Sequence, residues 1–197
     1  MPFKINISTV PADKRNAPDF QELYKGAQEI FSEIIAINSF CIHEAGHVIY
    51  YLRAGVPIHS IVGPRMTYKE KPIFIPAAIQ VELKDMEALG TSKEAVQKVA
   101  KIHAAGKASV LALTGLTAAG EETDRTNFND FCDLAGIPKN DRNGIWDDAE
   151  YQIKKEIIKP ANKKEAWDNA YNIRRLLFDI QPPANAGVGH PLRIVGL

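Results

Sequence analysis

A chain of 197 residues, 45% hydrophobic and 24% charged, has the composition of a single globular domain and excludes a fibre or a disordered polymer. Its 24 Lys and Arg balance 24 Asp and Glu, so the basic footprint of a nucleic-acid-binding protein is missing. Two cysteines, Cys41 and Cys132, are too few for a disulfide framework and suit a reducing compartment, which places the chain in the cytoplasm. The first residues lack the apolar core of a signal peptide, and the longest uncharged apolar stretch, residues 108–120, falls short of the ~18 residues that suggest a membrane span.

Residues 1–17 are polar and contain Pro2 and Pro11, which reads as an arm. From Phe20 the apolar residues Leu23, Ala27, Ile30, Phe31, Ile34 and Ile35 recur at helical steps. Asn38 and Ser39 interrupt that pattern, and either can cap a new helix over residues 40–54. Gly55 then serves as its left-handed terminator, with Pro57 just beyond. Residues 57–84 are rich in β-branched side chains and broken by prolines, which predicts two or three short strands. Thr91-Ser92-Lys93-Glu94 has capping-box spacing and opens a long helical stretch to about residue 119, bent or broken near Gly106 or Gly115. A loop over 120–127, a short helix over 128–135, and two further helices over 145–159 and 163–179 follow. The Pro- and Gly-rich segment 181–197 reads as an irregular tail, leaving 18–180 as the folded domain.

One constellation carries chemistry: His43-Glu44-Ala45-Gly46-His47. Residues four apart share one helix face, so both imidazoles can reach the same ion. Zinc suits two imidazoles and a third protein ligand, with its fourth position open. Glu44 sits beside the ligands rather than among them, where it can take a proton from an attacking water. The acidic candidates for the third ligand are Glu121, Glu122, Asp124, Asp130 and Asp133. Pattern alone favours Glu121 or Glu122, and spacing does not choose among the five.

HEAGH, followed by Ala118-Ala119-Gly120-Glu121-Glu122 and then Asn129-Asp130, resembles the peptidase domain of the FtsH-type (M41) zinc metalloproteases. In that family a glycine-rich segment ending in Ala-Glu-Glu follows the motif. An Asn-Asp pair then opens a helix, and its aspartate is the third ligand. The resemblance covers residues 39–180 and implies His43, His47 and Asp130 as ligands of one zinc ion per chain, with Glu44 as general base. It also implies a zincin-like, mainly α domain with a small β-element beside the active-site helix. Nothing matches the phosphate-binding pattern G-x-x-x-x-G-K-[ST], so an ATPase module within this sequence is not expected.

The function expected is therefore a zinc-dependent, ATP-independent peptidase acting on peptides or unfolded proteins. A separate unfoldase or assembly with copies of itself would supply folded substrates, and neither nucleic acid nor membrane is expected as a partner. The alternative is a non-catalytic, metal-binding pseudo-peptidase that serves as an interaction protein. His59, His103 and His190 read as surface or satisfied core histidines. Tyr50, Tyr51 and Tyr68 read as packing residues, although one of them could donate to an oxyanion. Cys41 points away from His43 and belongs to the core, and Trp146 and Trp167 read as anchors of the late helices.

Overall fold

The structure, a computed structural model, describes residues 8–62, 78–117 and 120–175. They form seven helices and one pair of short strands: α1 (Ala12–Arg15), α2 (Pro18–Ala54), β1 (Ser60–Val62), β2 (Ala78–Gln80), α3 (Leu83–Glu87), α4 (Lys93–Thr114), α5 (Glu121–Leu134), α6 (Lys139–Ile157) and α7 (Pro160–Arg174). The mainly helical fold with a small β-element is the class expected from the sequence. No helix among the described residues is long and apolar enough to cross a membrane.

Two compact units divide the chain, Met1–Asn38 and Ser39–Leu197. The first holds α1 and the opening turns of α2, where Phe20 stacks on Tyr24 and Leu23 is exposed. The expected break at Asn38 and Ser39 does not occur, because α2 runs through both. Neither residue is a strong breaker: each costs only tenths of a kcal/mol in a helix interior. The stop at Gly55 is where the sequence put it. Its backbone takes the left-handed φ of 82°, and Val56 N–H donates back to the Tyr51 carbonyl.

In the second unit every α2 residue from Cys41 to Tyr51 is buried, as befits a helix that is surrounded rather than laid on a surface. Gly46 marks where α2 meets α4. A Cβ there would lie 2.5 Å from the Ala105 carbonyl oxygen, so only glycine lets the two backbones approach. α4 begins one residue later than the capping-box reading implies. Ser92 is its N-cap and accepts from the Ala95 N–H at 3.2 Å. It runs unbroken through Gly106 and stops at Gly115.

α5 and α6 pack on α4, and α7 packs on α6. Arg142 of α6 clips the end of α5: its guanidinium donates to the carbonyls of Asn129 and Ile137 and pairs with Asp133 at 2.5 Å. α6 starts at Lys139, six residues earlier than expected, and α7 starts at Pro160, which occupies the first helical turn rather than separating two helices. The strands pair antiparallel in the register Ser60↔Gln80, Ile61↔Ile79, Val62↔Ala78. The prolines and apolar residues of segment 63–77, Tyr68 and the tail with His190 lie outside the described residues.

Trp146 anchors the late helices, as expected, with its ring 5.5 Å from that of Phe128 and Arg125 over its face. Trp167 does not: it is 40% exposed, because α7 turns Ala166, Ala170 and Ile173 inward instead. Trp146→Ala is expected to cost about 3–5 kcal/mol of stability in a urea titration, the usual range for truncating a buried aromatic. Trp167→Ala should cost well under half of that.

Candidate metal centre

His43 and His47 stand one turn apart on α2, and both rings are buried. Their Nε2 atoms face each other at 2.9 Å. The group that joins them is Asp124, in the first turn of α5. Its Oδ2 lies 3.3 Å from His43 Nε2 and 3.4 Å from His47 Nε2. The three ligand atoms fall within 4.8 Å of one another, and this is the one such group of His, Cys, Asp and Glu among the described residues.

Asp130, implied as the third ligand by the resemblance, is exposed on α5 and is not part of the group. The physical reason is where α5 begins. The helix starts at Glu121 rather than at Phe128, so its first turn is the one that meets the histidines. Asp130, six residues beyond Asp124, then projects about 240° around the helix. Glu121 is bound elsewhere, accepting from Lys107 Nζ of α4 at 2.8 Å, and Glu122 is exposed. Lys107 also lies 3.6 Å from Glu150 of α6. It thereby ties the first turn of α5 to the two helices beneath it.

The signal for Asp124 was present in the sequence. Gly120, with φ 103°, breaks the chain before Glu121, Glu122 and Asp124, and three acidic residues after a glycine suit the positive end of a helix dipole. Reading that acidic turn as a loop concealed the ligand.

Electrostatics at the centre are those of ligand groups crowded together and buried. Burial lowers the pKa of His43, against the pull of the Asp124 carboxylate. Burial opposes protonation of His47 as well, but the Asp124 carboxylate, with Glu44 and the Ile102 carbonyl, overcomes it and raises the pKa to about 9. Burial also opposes ionisation of Asp124, yet the two imidazoles hold its pKa well below the ordinary carboxylate range. Glu44, next to the ligands and itself buried, is raised to about 7 by desolvation.

The residues fit a cation on three grounds. His47 Nδ1 donates to the Ile102 carbonyl at 2.7 Å, which fixes the ring and leaves Nε2 as the coordinating atom. Asp124 Oδ2 is buried without a hydrogen bond among the described residues. The donor set of two imidazoles and one carboxylate is one that zinc accepts with a fourth position open.

Gly106 makes the space. A Cβ there would stand 2.4 Å from His43 Nε2 and 2.5 Å from His47 Nε2. The expected bend or break was near Gly106 or Gly115, whereas Gly106 keeps α4 bare opposite the two imidazoles. Gly106→Ala would force both buried imidazoles to shift, against the hydrogen bond that fixes His47. It should lose metal by more than the 10–100-fold typical of a change behind the ligands. Zinc competition against a chromophoric chelator reads this directly.

Compared with protein-family models, with curated proteins and with solved structures, the chain matches none. The reading of its function therefore rests on the site.

Proposed function

We propose that the chain is a zinc-dependent, ATP-independent peptidase, with His43, His47 and Asp124 as the ligands and Glu44 as general base. The observation that carries this is a buried glutamate adjoining three converging ligand atoms, two of them on its own helix. Zinc bound there would polarise the scissile carbonyl and acidify the attacking water. Glu44, buried beside the ligands, is placed to accept a proton and to return it. It takes the proton as water adds to the carbonyl carbon. It then delivers that proton to the amide nitrogen as the C–N bond breaks. The resemblance to the FtsH-type peptidases supports the same assignment of Glu44 and the two histidines.

Substrates in this reading are peptides or unfolded proteins. The outer edge of β1 or β2 could take an extended segment as an added strand. Folded proteins would need a separate unfoldase or an assembly of this chain with itself. The buried Cys41 and Cys132 suit the reducing cytoplasm.

Zinc-loaded protein should degrade unfolded casein, stop when chelated, and resume when zinc is restored. Full zinc occupancy with no cleavage of casein or of a peptide library would overturn the peptidase and leave the metal-binding pseudo-peptidase in its place.

A further inference from the structure

α2 and α4 run antiparallel across the candidate centre. His43 meets Gly106, and His47 meets Ile102, lower on α4 as α2 rises. His103 therefore sits between those two contact points, three residues before Gly106 and on the neighbouring strip of the same helix face.

His103 is 8% exposed, yet it has no hydrogen bond or ion pair among the described residues. Its ring nitrogens are not among the fully buried side-chain atoms that lack a partner, so a ring N–H stays open to solvent or to a bound molecule. Its charge state responds to both His47 and Asp124. It is not one of the three groups whose ligand atoms gather within 4.8 Å, so it does not complete the cage. Burial, with His47 adding to it, brings its pKa down to about 4. The ring is then neutral at working pH, and a neutral imidazole still carries one N–H to donate.

Ser109 Oγ, on the same helix and against Gly46, is a fully buried hydroxyl without a partner among the described residues, and two further donors are committed elsewhere. Tyr50 donates to Glu156 at 2.8 Å, and His59 is exposed and paired with Glu82 at 2.9 Å. Tyr51, one turn beyond His47, is the competing donor, with its phenol pushed up to about 12 by burial and by the carboxylates of Asp124 and Glu44.

We infer that His103 donates a hydrogen bond to the carbonyl oxygen that becomes negative when the peptide bond is attacked. This rests on the peptidase reading above. Water adds to the carbonyl carbon and the C=O π pair moves onto oxygen, where the His103 N–H meets it. Glu44 takes the water proton and passes it to the leaving amine. The oxygen pair then reforms the carbonyl. His103 gains and loses no proton in the cycle.

The test uses cobalt(II)-substituted full-length chain titrated with acetohydroxamic acid, followed by its visible spectrum, alongside casein turnover by the zinc form. His103→Leu should keep the cobalt spectrum unchanged, bind the hydroxamate about tenfold more weakly, and lose on the order of 10²-fold in kcat with little change in KM. His103→Gln, which retains an N–H donor, should recover part of both losses. If His103→Leu does not fold, His103→Ala carries the same comparison.

Unchanged hydroxamate affinity in His103→Leu, or the same losses in Tyr51→Phe instead, would overturn the inference. Loss of cobalt from His103→Leu would also overturn it, by making His103 part of the metal cage. A wild type that binds cobalt and hydroxamate but never cleaves casein would defeat the peptidase reading alone, because the hydroxamate titration still decides whether His103 donates.

Discussion

Glu44→Gln should lose 10²–10⁴-fold in peptide cleavage, the usual worth of a positioned general base, while holding as much zinc as the wild type. The amide matches the carboxyl in size and can still hydrogen-bond, but it cannot take a proton. Metal analysis of the purified variant beside casein turnover reads both halves. Loss of zinc along with activity would assign Glu44 to the cage instead of the chemistry.

The same substitution has a consequence in the metal-free protein. Glu44 binds its proton more tightly in the folded chain, at about 7, than at its ordinary 4.5, because burial disfavours the charge. The folded state therefore holds more protons than the unfolded one between those values, and stability falls as pH rises through that window. Above pH 7 the penalty amounts to roughly 3 kcal/mol, and less if the site relaxes or admits water. Metal-free Glu44→Gln should escape it. Urea titrations of wild type and variant should agree near pH 4.5 and diverge by pH 8, with the variant the more stable. Parallel curves across that range would show that the carboxyl is not desolvated.

Asp124→Ala is the second large effect. It removes the one carboxylate that faces both imidazoles and should lower zinc affinity by well over the 10–100-fold expected of residues behind the ligands. His47 should lose its raised pKa at the same time, since the Asp124 carboxylate is the chief group holding the proton there. Proton NMR of the imidazole resonances in metal-free protein would follow that change. Asp130→Ala is the matched control: the residue is exposed and outside the ligand group, so zinc affinity should stay within about twofold. The opposite ranking of the two variants would restore Asp130 as the ligand and require α5 to rotate.

Local features were the ones legible in the sequence. The i, i+4 histidines, the Gly55 stop and the opening of α4 near Ser92 depend on residues within a turn or two of one another. Short strands within residues 57–84 were also expected from β-branched composition, but their pairing was not. Features set by long-range packing were not legible. The Asn38-Ser39 pair has the chemistry of a cap, yet α2 continues through it. The third ligand depended on where α5 starts: spacing did not choose among five acidic candidates and the resemblance implied Asp130, whereas the helix begins at Glu121 and puts Asp124 in its first turn. Gly106 and His103 gained their meaning only when α4 was laid antiparallel on α2, because nothing in their immediate neighbours marks them. Trp167 was expected inside on size alone, whereas the inward face of α7 is filled by smaller residues.

Anomalous diffraction at the zinc edge, from crystals of the whole chain grown with zinc, tests the central claim most directly. The expected result is one peak per chain, about 2.0–2.2 Å from Nε2 of His43, Nε2 of His47 and a carboxylate oxygen of Asp124, with Glu44 outside bonding distance. Absence of a peak there, or a peak held by other side chains, would contradict the account.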